Sequence, residues 1–243
     1  MVSLCDNCND LNFLPADAYA ARITALFGTY GAGYDFALFW VQRIDDEPVA
    51  AISRVDGNMT LCCTEKADFE ELSYFIKAVG YSSLTLDAAF LEPLGLTASK
   101  SSYTVRYEGE KDFSDERILH DYDKKSLYNL LCSCGFELGD YSAFLSDVCA
   151  RLNRKTAELA AIENETLDAC AFALFNGEKS VLLGAVATRN EARGNGYASM
   201  LVKSLAGREA DKKVYLFCRN DGLLEFYKKS GFVHCGKWAI VEN

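Results

Sequence analysis

Apolar and polar residues along this chain follow two rhythms, a helical one and an alternating or continuous strand-like one, and they succeed each other in the same order twice. Residues 15–27, PADAYAARITALF, have helical spacing, with Pro15 placed to open the helix and Gly28 to close it. Residues 34–44, 48–58 and 59–65 read as three strands, with Asp56-Gly57 as a hairpin turn. Residues 68–80 read as a helix: Phe69, Leu72, Phe75, Ile76 and Val79 share a face, Asp68 can cap it and Gly80 ends it. The strand SSLTLD and a short helical or turn segment, AAFLEPLGL, follow. The polar stretch YTVRYEGEKDFSDE has no strong period, which predicts a boundary near 108–115 and domains over 1–110 and 111–243.

Beyond the boundary, KSLYNLLCSCGF and YSAFLSDVCARLNRK read as helices, the second expected to bury Phe144, Leu145, Val148, Cys149 and Leu152. Three strands (AELAAIEN, DACAFALFNG and SVLLGAVAT) lead to a glycine loop and a helix over 198–206. The strand KVYLFCR, the short helix GLLEFYKKSG and a last strand, KWAIVE, close the chain. The shared order of three strands, helix, strand and short helix points to a duplicated unit. The copies differ at one place: where the second has TRNEARGNGYA, the first has CTEKADFEE, with acids in place of glycines.

Composition narrows the class. Half of the 243 residues are apolar and three are proline, which is globular usage. No apolar run approaches the roughly 20 residues of a membrane span, and the first residues lack the pattern of a signal peptide, so a cytoplasmic chain is expected. Ten cysteines are then reduced thiols; the pairs Cys5/Cys8 and Cys132/Cys134 are too scattered for a zinc site, and no metal is expected. The net charge is −10, nearly all of it in the first 112 residues. That argues against a nucleic-acid surface and is compatible with solubility alone or with a cationic partner.

The segment GAVATRNEARGNGYASMLVKSL carries the strongest chemical signal. Glycines ahead of a helix let the backbone turn with positive φ and approach a ligand, and the first turn of the helix offers N–H groups and a partial positive charge to an anion. Arg193 adds a cation, and Ala198, Leu201, Val202 and Leu205 anchor the helix. The plain alternative is a loop that turns a corner. Neither the Walker nor the dinucleotide pattern is present.

The order Arg193-Gly194-Asn195-Gly196-Tyr197-Ala198 resembles the pyrophosphate motif of the GNAT superfamily of acetyl-CoA-dependent N-acyltransferases. The similarity continues through Asn220, Phe226, Tyr227, Gly231 and Phe232, and covers roughly 135–243. It implies an α/β (α+β) fold with a mixed central sheet flanked by helices, in two tandem GNAT-like domains of which the first is degenerate. It implies acetyl-CoA as cosubstrate, its pyrophosphate on residues 193–198, its pantetheine along Val186 and Thr188, and Asn220 on the pantetheine arm. It further implies acetyl transfer by direct attack of a primary amine, small molecule or peptide, with Tyr227 protonating the leaving thiolate. Tyr227 equally suits packing on the sheet, and a non-catalytic acyl-CoA-binding or regulatory module is the rival reading. Glu163, Glu165, Glu191, His120 and His234 are weaker candidates for a base, each more readily a surface or strand residue.

Overall fold

The computed structural model describes residues 1–209 and 211–243. Twelve strands form one sheet in the order β1-β2-β3-β4-β5-β12-β6-β11-β10-β9-β8-β7. The first half supplies β1 (Val2–Leu4), β2 (Ala37–Ile44), β3 (Glu47–Val55), β4 (Asn58–Cys63), β5 (Ser83–Asp87) and β6 (Lys100–Tyr107). The second supplies β7 (Ile118–Leu119), β8 (Glu158–Glu163), β9 (Leu167–Asn176), β10 (Ser180–Thr188), β11 (Lys213–Phe217) and β12 (Phe232–Glu242). The order is palindromic. Each half hands its last strand to the other: β12 pairs with β5, β6 pairs with β11, and β6 and β12 pair antiparallel at the centre.

Among the described residues, six α-helices cover the sheet: α1 (Ala18–Tyr30), α2 (Phe69–Val79), α3 (Lys124–Ser133), α4 (Tyr141–Asn153), α5 (Tyr197–Arg208) and α6 (Asp221–Lys229). Strand alternation sends Ile52, Leu61 and Leu84 to the α2 side, while Ala51 and Cys62 face α1. In the second half, Ala171 and Leu183 face α5, while Cys170 and Phe172 face α3 and α4. α1 packs against strands of both halves, and Ile23 and Leu26 are buried beneath it. Burial of each such side chain stabilises the fold by roughly 1.5–3 kcal/mol.

Most predicted elements are present, with instructive shifts. α1 starts at Ala18 because the Asp17 carboxylate accepts from the Tyr19 and Ala20 amides, at 2.9 and 2.7 Å; Pro15 lies outside it. Gly28 lies within α1, which ends instead at Gly31, φ 66°. The boundary stretch is not wholly irregular, since its first residues complete β6. Polar alternation hid that strand, whose neighbours β11 and β12 lie more than a hundred residues away. α4 is only half-buried along its apolar stripe, including Phe144, Leu145, Val148, Cys149 and Leu152. The thiols are divided: Cys5, Cys62, Cys63, Cys170 and Cys218 are buried, and Cys8, Cys132 and Cys235 are exposed. Among the described residues, no helix is long and apolar enough to cross a membrane.

The exchanged strands make a prediction. Residues 111–243 expressed alone lack β6, so β11 and β12 each lose a neighbour. Circular dichroism of this fragment should show no cooperative melt, and adding residues 1–110 should restore one; a sharp melt of the isolated fragment would contradict the dependence.

Candidate active site

β10 and β11 are parallel but pair only from Ser180–Leu183 to Lys213–Leu216. Beyond that point they separate, and the cause lies on both sides. β10 stays with β9 through a register shift between Gly184 and Ala187, where Ala185 takes the left-handed φ of 49°. β11 turns toward β6: Phe217 pairs with Thr104, and the Cys218 amide donates to the Tyr103 carbonyl at 2.8 Å. A V-shaped slot results, with Val186 and Thr188 on one edge.

The glycine loop closes one end of this slot. A short 3₁₀ turn (Asn190–Ala192) precedes it, and the Asn195 side-chain Nδ2 donates to the Ala192 carbonyl at 3.0 Å. Gly194 and Gly196 have φ of 86° and 76°, and a Cβ on either would meet nothing within 4 Å. Conformation rather than crowding therefore demands glycine, and the space before the loop is open. Gly196 is the N-cap of α5 and offers no side-chain cap. The five other α-helices among the described residues are capped by Asp17, Asp68, Asp123, Asp140 or Asn220. The first-turn amides of α5 are thus left for an external acceptor, and the helix dipole favours an anion there. Arg193 is exposed beside the loop, its Nε 3.4 Å from the Thr188 carbonyl.

A half-buried ion pair that sequence reasoning missed holds the approach to this loop. Asp168, nearly buried on β9, accepts from Arg189 Nε at 3.2 Å and from Arg189 Nη2 at 2.5 Å. Its carbonyl also accepts from the Arg189 amide at 2.8 Å. Asn164 reaches both Asp168 and the Tyr197 hydroxyl. Burial opposes ionisation of Asp168, but the hydrogen bonds from Arg189 and Asn164 hold its carboxyl below the usual range. No local motif announces a partner 21 residues away.

α6 forms the opposite wall. Asn220 caps it, its Oδ1 accepting from the Leu223 amide at 2.9 Å, so the carbonyl end of that side chain is occupied. Tyr227 is 5% exposed, with its ring edge-on to Phe226 at 5.0 Å and to Phe232 at 5.6 Å. The packing expectation is met here. The ring is core, and among the described residues the hydroxyl has no hydrogen-bond partner. Burial, reinforced by the nearby Cys218 sulfur, pushes its pKa well above the ordinary phenol value. Val186, Tyr197 and Tyr227 meet in one apolar cluster with Leu216 and Cys218.

Glu163 accepts from the Tyr122 hydroxyl, Glu165 is exposed, and Glu191 stands 4.0 Å from Arg189. His234 is exposed on β12 against Tyr103, and His120 Nδ1 contacts the Leu159 carbonyl at 3.2 Å. A cleft of about 580 Å³ opens beside His120 at the edge of β8, but there Lys124 pairs with Asp121 and Arg208 with Glu158.

The first half has a counterpart slot, since β4 and β5 pair only over Asn58–Thr60 and Ser83–Thr85. Its loop is filled by its own side chains. Asp68 caps α2, Gln42 bonds both main-chain groups of Asp68, and Glu71 takes Gln42 Nε2 at 2.8 Å and the N-terminal ammonium at 3.3 Å. Carboxylates occupy the place that a phosphate would need.

A mixed sheet that splays ahead of an uncapped glycine loop defines a GNAT fold, and comparison with known proteins agrees. Residues 124–232 match the family model described as Acetyltransferase (GNAT) family. That part of the chain is similar to the GNAT acetyltransferases. A tandem GNAT protein from the clavulanic acid biosynthesis pathway superposes with a TM-score of 0.62 at 11% identity, covering 99% of this chain and 97% of that one. An acetyltransferase of the GNAT family from Novosphingobium aromaticivorans gives 0.57 at 16% identity, covering 92% and 97%. One from Colwellia psychrerythraea gives 0.57 at 10%, covering 100% and 99%. No curated protein matches the chain in sequence.

The Asp168–Arg189 pair yields a test. Asp168→Asn should destabilise the protein by about 1–3 kcal/mol in urea unfolding at pH 7, less than a fully buried pair because Arg189 is 42% exposed. A lowered folded pKa means that the contribution is present above the ordinary carboxylate value and is lost as pH falls through the folded one. The difference between variant and wild type should therefore shrink below about pH 4.

Proposed function

We propose that this protein is an N-acetyltransferase that moves an acetyl group from acetyl-CoA to a primary amine. The carrying observation is the uncapped, glycine-led N-terminus of α5 at the end of the β10/β11 slot. Residues 193–198 offer a pyrophosphate main-chain donors, conformational freedom and one cation. Pantetheine lies in the slot, pairing with the backbone at Val186 and Thr188 in the manner of an added strand, with the Asn220 side chain along it. The bulge at Ala185–Val186 turns main-chain groups out of the β9 ladder, where an N–H can stabilise the thioester oxygen as charge develops.

The nitrogen lone pair attacks the thioester carbon, the C–S bond breaks, and its electron pair goes to sulfur. Tyr227 supplies the proton that sulfur takes up and regains one from water, while the amine's surplus proton leaves to water, so the proton count closes over the cycle. A raised pKa keeps the phenol protonated throughout the working range, as an acid requires. Ten free thiols fit a reducing, cytoplasmic setting. The self-capped α2 supports a first half that does not bind coenzyme.

Gly196→Glu should abolish acetyl-CoA binding in calorimetry, because it puts a carboxylate into the anion nest and a side chain at a left-handed φ. Unchanged affinity would remove the loop from the site.

Tyr227→Phe keeps the ring and its packing. The rate at saturating coenzyme should fall by about 10²–10⁴, with acetyl-CoA affinity nearly unchanged. In wild type, the pH–rate profile should show no loss up to about pH 10 from Tyr227 ionisation, because its pKa is raised. A variant that folds and runs within twofold of wild type would leave Tyr227 a packing residue and favour the non-catalytic reading of its hydroxyl.

A further inference from the structure

A second cleft, about 390 Å³, shares Asn220 with the slot. Its other lining residues are Ser101, Ser102 and Tyr103 of β6, Asp221 at the start of α6 and Lys237 of β12. Three of the six thus come from the sequence of the first half, brought here by the exchanged strand. The Tyr103 hydroxyl donates to Asp221 Oδ1 at 2.6 Å, which ties β6 to the first turn of α6. Tyr103 and Lys237 are direct partners across β6 and β12. One phenol is therefore flanked by an anion and a cation. Among the described residues, neither Asp221 nor Lys237 joins an ion pair, with each other or with a third group. Asn220 spends its Oδ1 on the helix cap, so only its NH₂ end is available. Ser101 donates to the Trp238 carbonyl and can still accept.

The volume suits a molecule of amino-acid size rather than a folded surface. Opposite charges held apart and unpaired, with hydroxyls and an amide between them, match a ligand that carries both charges. We propose that this cleft receives the acceptor, and that the acceptor is an amine bearing a carboxylate, an amino acid or a close derivative. The inference rests on the acetyltransferase reading above. Lys237 binds the carboxylate and Asp221 draws in the ammonium, which loses its proton to water before it attacks. The first half then has a function although its own slot is closed: it builds one wall of the second half's acceptor site.

The test uses the full chain and thiol release from acetyl-CoA, with matched amines that differ only in the carboxylate: lysine against 1,5-diaminopentane, and phenylalanine against phenethylamine. Wild type should show a KM about tenfold lower for the carboxylated member. That lies between the few-fold effect of an exposed ion pair and the roughly hundredfold effect of a buried charged hydrogen bond. Lys237→Glu, an exposed substitution, should erase the preference while acetyl-CoA affinity by calorimetry stays the same. Turnover without a preference, or a preference that survives in Lys237→Glu, overturns the acceptor assignment and leaves the acetyltransferase reading standing. Failure of wild type to acetylate any amine in a broad panel overturns both.

Discussion

The antiparallel pairing of β6 with β12 is the interaction on which the rest depends. Each strand belongs to one half by sequence and to the other by hydrogen bonding, so the sheet is continuous and the halves are interlocked. β11 pairs with β10 on one edge only as far as Leu216, while on its other edge it stays with β6 through Phe217 and the Cys218 amide. Without β6, the end of β11 would have no ladder to join, and the wall beside Asn220 would be missing.

Around that centre the duplication supplied two slots, and local chemistry closed one. Both halves of the sheet splay after a short parallel pairing, so the geometry alone would suit a ligand in either half. The first slot ends at a helix whose N-terminus is satisfied by Asp68 and surrounded by carboxylates. The second ends at a helix led by Gly196, with Arg193 nearby. The same dipole is neutralised within the chain in one case and left for a ligand in the other.

The site also divides labour between rigid and adaptable parts. Asp168 and Arg189 anchor the approach to the glycine loop from within β9. The Tyr227 ring is clamped by Phe226 and Phe232 while its hydroxyl is left without a partner among the described residues, so a core aromatic and a candidate acid are the same residue. Packing and chemistry need not compete for this side chain, because they use different atoms.

Local patterning by itself determined much. Helical stripes, Asp and Asn caps, the Asp56-Gly57 turn and the Gly194/Gly196 loop are written within a few residues of where they act, and the order of elements gave the duplication. Long-range pairing was decided only in the tertiary structure. β6 reads as a polar linker because most of its residues are polar or charged and its partners lie far along the chain. The Asp168–Arg189 pair and the contact between Tyr103 and Asp221 join positions 21 and 118 residues apart. The exchange of final strands is equally invisible in sequence: pairing β6 with β11 or with β5 satisfies the same backbone groups, and only the packing of the whole sheet around α1 selects one.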